Sequence, residues 1–442
     1  MAIDFTEIRK IDEFLQARRK PGLLLTRPYP ATGAPDIRSR LGGLPNLPAD
    51  MAWPRGRSYE RDVPMHFLAQ IDCSELPAID PRMPGQGVLF FFAVNDEEQI
   101  WNTEEPGERI RVLYAPDGSR LPPPRPAPAD LPPIQDLEAS DSPHRPDWLL
   151  PGERGPALHQ AWPIVASRFD TWPDWGTYED RPFTDYAPYQ RRVTMLRAGA
   201  VVAATGLPTR SEYFPAWDTG FGQPFVLPGS GDSDRQEFPQ LGIMIDRIAR
   251  IVARHLLERG PDPSSGVFAR AMQWVETARQ IGPAGVPDDR TKAAFRDWLS
   301  QLADPSAPSD LCFYLPSLIT KGLNAAIACA GGSDGLAGSI PPYFYNVLEN
   351  GHLPFEQTKP AHYVACRDWT IEANVHQMLG HAPMLQSDSP DPESGPLCLL
   401  RLATDPGIEL SFGDMGYATI WIDPADLQQR RFDRCSGVVE SH

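Results

Sequence analysis

The chain lacks the features that mark an exported or a membrane-spanning protein. Its first ten residues hold Asp4 and Glu7 and no apolar run, so we predict no secretory signal. The most apolar later stretch, Leu311 to Ala330, is interrupted by Pro316 and Lys321. A membrane span needs about 20 mostly apolar residues and tolerates charge poorly. We therefore expect a soluble, cytoplasmic protein.

Close pairs of cysteines are also missing. The six cysteines are Cys73, Cys312, Cys329, Cys366, Cys398 and Cys435. Zinc sites usually contain two cysteines separated by about two to four residues. Without a secretory signal, reduced thiols are the expected state. Cys73 and Cys398 lie in or beside apolar strands, where free cysteine behaves as a small hydrophobic residue.

Positive charge is scarce. The chain has 58 acidic and 41 basic residues, only five of them lysine, and a formal net charge of −17. Nucleic acids and anionic lipids are bound by clustered Lys and Arg, so we predict neither as a partner. If the chain has a protein partner, its acidic surface favours a basic one.

Complete catalytic templates are absent too. The sequence contains no Gly-rich phosphate loop ending in Gly-Lys-Ser/Thr, and no Gly-x-Gly-x-x-Gly follows a strand. Residues 331–335 (Gly-Gly-Ser-Asp-Gly) have the spacing of a nucleophile elbow, which requires a strand before it and a helix after it. An Ala-rich, helix-like run precedes this motif, so we interpret it as a loop that ends a helix. We expect no cofactor.

Two stretches of the chain look like copies of each other. Each has a Gly-Pro loop, then a short apolar strand, then a second apolar strand preceded by a glycine. The first copy contains residues 41–43, 67–72 and 87–92, and the second contains residues 379–381, 399–402 and 416–422. A repeated supersecondary unit predicts an internally duplicated sheet but says little about chemistry.

Hydrophobic spacing and Gly-Pro boundaries predict an α+β fold with an antiparallel, β-rich core. We predict strands at residues 23–25, 67–71, 88–94 and 110–114, and helices at residues 4–20, 243–256, 268–278, 295–302 and 368–379. The predicted units are a first half (1–115), a Pro-rich linker or insertion (116–160), an aromatic-rich irregular segment (161–240), a helical region (241–335) and a second half (336–442).

The Pro-rich segment holds twelve prolines between Pro116 and Pro156. Proline cannot join the interior of a sheet, and this composition offers little apolar surface, so we predict an exposed linker. The next segment alternates aromatic residues with Pro and Asp, and Trp172, Trp175 and Trp217 are its candidates for a sugar or peptide site. Such rings more often form a core under irregular loops.

Five polar residues fall within or beside the repeated motifs: Gln70, Asp72, His376, Gln386 and Asp414. Gln70 and Asp72 share one strand face because side chains alternate along a strand. We predict that the five lie near a common surface, as a candidate site. The alternative is that they bind backbone groups in loops, which is the more frequent role of such residues.

A metal site is the sharpest chemical alternative. On the predicted helix, Glu372 and His376 are four residues apart, and His381 follows; His352 and His362 are nearby. These ligand types bind zinc, but the spacing is not a known zinc signature. A Glu-His pair with this spacing is more often a helix-surface contact, so we expect no metal.

These motifs resemble the YwqG-like family of bacterial proteins, a domain of unknown function. The resemblance lies in the opening loop (residues 42–48 with Trp53-Pro54), in the strand at residues 67–72, and in a closing segment. The closing segment contains His376, Leu379-Gly380, Gln386, Gly413-Asp414, Gly416, Trp421-Ile422, Asp426-Leu427 and Phe432. His381-Ala382-Pro383 departs from the Tyr-Pro more common in the family.

The resemblance implies an internally duplicated α+β fold and no established activity. Some relatives occur beside bacterial toxin genes. We therefore predict a non-catalytic protein-binding module with an immunity or regulatory role. One alternative is a metal-assisted or acid-base enzyme with a cleft between the halves, in which Asp72, His376 and Asp414 transfer protons. The other is sugar or peptide binding by the aromatic segment.

Overall fold

The fold is α+β and is built around two antiparallel sheets. A computed structural model describes residues 5–28, 38–101, 107–118, 121–135, 148–159, 161–205, 238–239, 241–260, 266–283, 285–303, 311–330, 362–363, 376–405, 410–414 and 416–441. Its helices are α1 (Phe5–Ala17), α2 (Tyr186–Thr205), α3 (Gly242–Glu258), α4 (Gly266–Ile281), α5 (Asp289–Leu302), α6 (Leu311–Ala330) and α7 (Pro424–Gln428). Within the described residues, no helix is both long and apolar enough to cross a membrane.

The strands form a large sheet, a small sheet and a separate hairpin. The large sheet has the order β10-β1-β11-β12-β13-β14, with β9 also paired to β1; the small sheet has the order β7-β6-β5-β2-β8; and β3 pairs with β4. The strands are β1 (Lys20–Pro28), β2 (Arg40–Leu41), β3 (Arg55–Ser58), β4 (Arg61–Pro64), β5 (His66–Asp72), β6 (Val88–Ala93), β7 (Ile110–Ala115), β8 (Trp162–Pro163), β9 (Val165–Thr171), β10 (His362–Tyr363), β11 (His376–Met378), β12 (Leu397–Ala403), β13 (Tyr417–Ile422) and β14 (Ser436–Glu440).

The central core lies between the two sheets. On β6, Leu89 and Phe91 face it, and on β13, Ala418 and Ile420 do so. At Gly437 in β14 there is no room for a Cβ atom against the Ile110 side chain, so β14 packs closely on β7. The same core continues into the contacts among α3–α6. The space between the halves is therefore occupied by apolar side chains at these positions.

Each sheet has a second apolar or mixed face on its outside. On β6 the alternate residues Val88, Phe90 and Phe92 form a separate cluster with Leu47 and Met65. Because both faces of β5 and β6 are covered, their sequences are nearly continuous apolar runs rather than alternating patterns. This explains why the predictions for residues 67–71 and 88–94 were confirmed.

The two meanders β5-β6-β7 and β12-β13-β14 have the same register. Asp72 pairs with Val88 in the first, and Ala403 pairs with Tyr417 in the second. Counted from these two pairs, each residue pair of the first meander has an equivalent pair at the same position in the second. Each meander also contains one register shift, between Phe67 and Ala69 in the first and between Cys398 and Leu400 in the second. With this register, Phe92 corresponds to Trp421.

The turns before the two meanders also correspond. β2 is followed by Gly42 and Gly43, with φ of 60° and 73°, and β11 by Leu379 and Gly380, with φ of 58° and 68°. Left-handed φ values are uncommon outside glycine, so two consecutive ones at equivalent positions are a specific similarity.

The two halves also share a hydrogen bond from a backbone N–H to a side chain at the end of the first strand of each meander. The N–H of Asp72 donates to Ser39 Oγ at 2.9 Å. At the matching place in the second half, the N–H of Ala403 donates to His376 Nδ1 at 3.1 Å. Ser39 precedes Arg40, which pairs with Gln70, and His376 precedes Gln377, which pairs with Arg401. Two different side chains therefore make the same kind of backbone contact at equivalent positions.

Two predictions about local structure were wrong. We predicted a helix at residues 368–379, but His376–Met378 form strand β11, paired with both β1 and β12. Residues 364–375, including Glu372, lie outside the described part. The Pro-rich segment was predicted to be exposed, yet its residues Leu131, Gln135, Leu149 and Leu150 are buried. Its described residues form neither helix nor strand.

Candidate functional site

Gln70 is fully buried and binds backbone groups. Its side-chain oxygen accepts from the N–H of Asn46 at 2.9 Å, and its Nε2 donates to the carbonyl of Arg38 at 2.9 Å. Both partners lie in segments that flank β2. Gln70 therefore fastens the opening loop to the small sheet, and its side chain is not available to a ligand in this conformation.

Asp72 is also buried, at the end of β5. Its Oδ1 accepts from the N–H and the hydroxyl of Ser74 at 2.9 and 2.6 Å, and so caps the 3-10 turn Cys73–Glu75. Its Oδ2 lies 3.0 Å from Arg38 Nη2. A capping carboxylate of this kind typically contributes about 1 kcal/mol to stability. These contacts describe a structural role for Asp72.

His376 forms a fully enclosed pair with Asp405. Its Nδ1 accepts from the N–H of Ala403, so the ring proton is on Nε2, which donates to Asp405 Oδ2 at 3.1 Å. Neither side chain is exposed to solvent. His376 begins β11 of the large sheet, whereas Asp72 ends β5 of the small sheet, so these two proton-transfer candidates belong to different sheets.

His381 is buried beside the N-terminal helix. Its Nε2 lies 2.8 Å from the carbonyl of Arg18, and its own N–H donates to Thr171 Oγ1 at 2.9 Å. Burial lowers the pKa of His381 to about 4, so the ring is neutral at pH 7. Within the described residues, no group of three or more His, Cys, Asp or Glu side chains is placed to hold a metal ion. Glu372 and His352 lie outside those residues.

Gln386 and Asp414 are the exposed members of the predicted site. Gln386 Nε2 donates to the carbonyl of Ser441 at 2.7 Å, in the loop that runs beside β14. Asp414 lies in the turn before β13, next to Gly413. The predicted five residues therefore divide into three buried ones and two exposed ones, rather than forming one surface.

The described part of the aromatic segment is largely core. Trp172 and Tyr189 are buried in a cluster with Ile11 and Phe14 of α1, and Trp175 packs partly buried against it. Trp172 therefore does not present a ring to a sugar. Tyr186 is half exposed and lies edge-on to Trp175. Trp217 lies outside the described residues.

A buried polar network that the sequence analysis missed joins the two halves. Gln99 Nε2 donates to Asn95 Oδ1 at 2.9 Å and to the carbonyl of Ser411 at 2.8 Å. Gln99 Oε1 accepts from the N–H of Gly413 at 2.9 Å, and Gln135 Nε2 donates to the same Ser411 carbonyl at 3.2 Å. No sequence signal marks this joint, because the partners of Gln99 and Gln135 in the second half are backbone groups distant in sequence.

The buried thiols are not poised as nucleophiles. Cys73, Cys398 and Cys435 are free and buried. Burial raises the pKa of Cys73 and of Cys398 to about 12, so both are protonated at neutral pH. A reactive cysteine needs a lowered pKa and access to solvent, and these residues have neither.

An open groove runs beside the edge strand β14, and we call it the β14 groove. Its volume is about 670 Å³. Residues that line it include Met384, Gln386, Asp388, Trp421, Ser436 and Val438. β14 pairs with β13 on one side, and no other described strand pairs with it. The groove therefore combines an edge strand, an aromatic wall and an exposed carboxylate, that of Asp388.

The wall opposite β14 is held in place by specific hydrogen bonds. Glu440 accepts from the N–H of Leu385 at 2.7 Å and from Ser387 Oγ at 2.6 Å. Asp174 accepts from the N–H of Met384 at 2.8 Å, and Arg197 pairs with the same carboxylate at 2.7 Å. The loop is thus tied both to β14 and to the segment after β9, so the β14 groove is preformed.

The chain belongs to the family that shares the domain of unknown function DUF1963. That family's pattern matches residues 39–176 and 337–439, which together are more than half of the chain. The matched region includes both meanders and nearly all of the β14 groove, and it omits α2–α6. A comparison with curated proteins found no match.

Two further open grooves lie at least partly outside the matched region. One, of about 640 Å³, lies between α4 and α5 and is lined by Trp274, Arg270 and Asp288. The other, of about 500 Å³, lies between β9 and α2. The β14 groove is the better candidate for a role shared by the family, because almost all of its lining comes from matched residues.

Proposed function

We propose that the protein is a non-catalytic protein-binding module that holds an extended segment of a partner in the β14 groove. The observation that carries this proposal is an edge strand, β14, which pairs only with β13 among the described strands and lies beside a preformed open groove. An edge strand offers unpaired N–H and C=O groups, and an extended peptide adds to it by main-chain hydrogen bonds. Pockets beside the strand then select side chains.

Charge favours a basic partner. The chain carries a net charge of −17, and the exposed carboxylate of Asp388 lies in the groove wall. A surface of one sign increases the rate of encounter with a partner of the opposite sign, and the effect weakens as salt is added. An immunity or regulatory role, as the resemblance to the YwqG-like family suggests, would use this surface.

The surroundings of the acid-base candidates favour the binding role over the enzyme alternative. Asp72 caps a turn and His376 protects the N–H of Ala403, and both side chains are buried. A general acid or base must come within hydrogen-bond reach of its substrate. The enzyme alternative therefore requires an opening of the fold at two separate sheets.

We also infer that the two meanders are internal copies. Three similarities support this: the shared registers with one shift each, the paired left-handed turns, and the equivalent protection of Asp72 and Ala403 by Ser39 and His376. Independent segments have no reason to share all three. When the two meanders are aligned by their shared register, the β14 groove lies at the outer face of the second copy.

The test is the composition of the native complex. Native mass spectrometry of the protein isolated from its own cells should give a stoichiometric second polypeptide. Ser436→Arg places a bulky cation at an exposed groove position and should remove that polypeptide. Val286→Arg is the matched control, since Val286 is 70 % exposed and distant in sequence from the groove. A complex that survives Ser436→Arg contradicts the proposed site.

The enzyme alternative makes a different prediction. It expects a lone chain that turns over a small substrate and loses that activity in Asp72→Asn or His376→Gln. Each variant must retain the folded circular dichroism spectrum, because both residues also support the fold. Such a result would replace the binding module by a catalyst.

A further inference from the structure

In the first half, the chain's own Pro-rich segment covers the outer face that corresponds to the β14 groove. Leu121 packs against the outer cluster that contains Phe90 and Phe92. Asn46 Nδ2 donates to the carbonyl of Pro122 at 2.6 Å. The segment that follows Leu121 is rich in proline, so it has few backbone donors and keeps an extended form.

Arg125 fixes this segment to the opening loop. Its N–H donates to the carbonyl of Pro45 at 2.8 Å, and its guanidinium donates to the carbonyl of Pro48 at 2.5 Å and also to that of Met51. One arginine therefore satisfies three carbonyls of the loop that follows Gly42 and Gly43. The first half therefore binds the Pro-rich segment of its own chain as a binding protein would bind a peptide.

The second half has the equivalent outer face. Among the described residues, no Pro-rich segment of the chain covers that face. By the shared register, Phe92 corresponds to Trp421 and Leu113 to Val438. Phe92 and Leu113 belong to the covered cluster of the first half. Trp421 and Val438 form a smaller cluster with Ala382 and Met384, and they also line the open β14 groove. The loop after Leu379 and Gly380 forms one wall, as the loop after Gly42 and Gly43 does in the first half.

We propose that the β14 groove binds an extended, proline-containing segment of a partner protein that carries an apolar anchor and a nearby arginine. This inference rests on the proposed function and names its partner chemistry. Because proline has no N–H, side chains and carbonyls hold most of the segment, and its non-proline residues make the main-chain hydrogen bonds to β14. The anchor packs on Val438 and on the small part of Trp421 that faces the groove, as Leu121 packs on the first outer face. The arginine pairs with Asp388, an exposed carboxylate in the groove wall. Aromatic surfaces and extended proline-rich segments are a recurrent pairing in peptide recognition.

The chain's own sequence provides the probe. A labelled peptide with the sequence of residues 121–132 (Leu-Pro-Pro-Pro-Arg-Pro-Ala-Pro-Ala-Asp-Leu-Pro) contains the anchor, the prolines and the arginine. In the first half, the tethered segment competes at a high effective concentration, on the order of millimolar for a short tether. A free peptide at micromolar concentration therefore finds the β14 groove rather than the occupied site.

The experiment is fluorescence anisotropy of this peptide with the full chain. We expect saturable binding, weakened at least about tenfold by Ser436→Arg or Val438→Arg and unchanged by Val286→Arg. Asp388→Asn should weaken binding several-fold, as should replacement of the peptide's arginine by alanine. Asp50→Asn, an exposed acidic position in the first half's loop, should leave binding unchanged. Thermal melts establish that each variant is folded.

The outcomes separate this inference from the proposed function. If the peptide does not bind, or binds equally to the groove variants and the controls, the proposed partner chemistry is wrong. If Ser436→Arg nevertheless removes the native partner, the binding module stands with a partner of another kind. If the peptide binds but Asp50→Asn alone weakens it, the first half is the site and the inference for the β14 groove fails.

Discussion

His376 and Asp405 form a hydrogen bond of 3.1 Å at a place where neither side chain is exposed to solvent. His376 begins β11 and Asp405 lies two residues after the end of β12, and these two strands are adjacent in the large sheet. It fixes the ring so that Nδ1 receives the N–H of Ala403. We interpret the pair as part of the framework of the second half.

Removal of one partner should therefore be costly. His376→Ala leaves the carboxyl of Asp405 and the N–H of Ala403 without the ring, and we expect a loss of about 3 kcal/mol in the free energy of unfolding. Chemical denaturation measures this loss. Glu13→Gln breaks the exposed pair of Glu13 with Arg9 and should leave stability nearly unchanged. Equal effects of the two substitutions would contradict the structural role of His376.

The local pattern predicted the strands of the meanders but not the strand at His376. Residues 67–71 and 88–94 carry dense apolar runs between Pro and Gly, and both formed strands. Around residues 368–379, apolar residues recur at helical spacing, but His376–Met378 pair instead with β1 and β12, from opposite ends of the chain. Such distant pairing overrides local preference and leaves no periodic signal.

The candidate site was predicted only in part. Of the five polar residues, Gln386 lines the β14 groove, whereas Gln70, Asp72 and His376 are buried in the framework. The loop at residues 384–387 forms the wall of the groove, and Glu440 and Asp174 hold that loop in place. These contacts join residues more than fifty positions apart. The adjacent β-branched pair Val438-Val439 is the local sequence signal for β14.

Acid should destabilise the fold through His381. Burial lowers its pKa to about 4 from an ordinary value of about 6.5, so the unfolded chain binds more protons between these values. Stability is therefore lost as the pH falls from 6.5 towards 4, by about 2 kcal/mol from this residue at pH 5. Burial also lowers the pKa of His66, which acts in the same direction.

His381→Gln isolates that contribution. Urea denaturation at pH 7 and pH 5 gives the loss of stability for the native chain and for the variant. The loss should be smaller by about 2 kcal/mol in the variant. If both proteins lose the same stability between the two pH values, His381 is already protonated in the folded state and the assignment is wrong.

The paired left-handed turns give a test of the equivalence of the two halves. Gly43 and Gly380 have φ of 73° and 68°, and a Cβ atom would meet Ala161 at the first and Thr171 at the second. Alanine at either position should therefore lower stability by about 1–3 kcal/mol. Gly199 in α2 has open space around it, so Gly199→Ala should raise stability by about 1 kcal/mol.

Thermal melts of the three alanine variants measure these effects in one experiment. The midpoint should fall for Gly43→Ala and Gly380→Ala and rise for Gly199→Ala. A loss at Gly43 with none at Gly380 would show that the second turn does not need its left-handed residue. The equivalence of the two turns would then rest on register alone.

Gln99 carries the polar joint between the halves, and its loss should loosen the second half. Its amide makes three hydrogen bonds: a buried one to Asn95 and partly buried ones to Ser411 and Gly413. Gln99→Leu preserves approximate volume but leaves these groups without their partner, at a cost of about 2–4 kcal/mol in the free energy of unfolding.

Hydrogen exchange in the Gln99→Leu variant should then accelerate at the N–H of Gly413, while exchange in β5 and β6 changes less. Gln280→Leu, which breaks an exposed contact with Glu276 on α4, is the control. Uniform acceleration throughout both sheets would mean that Gln99 supports the whole fold rather than the joint.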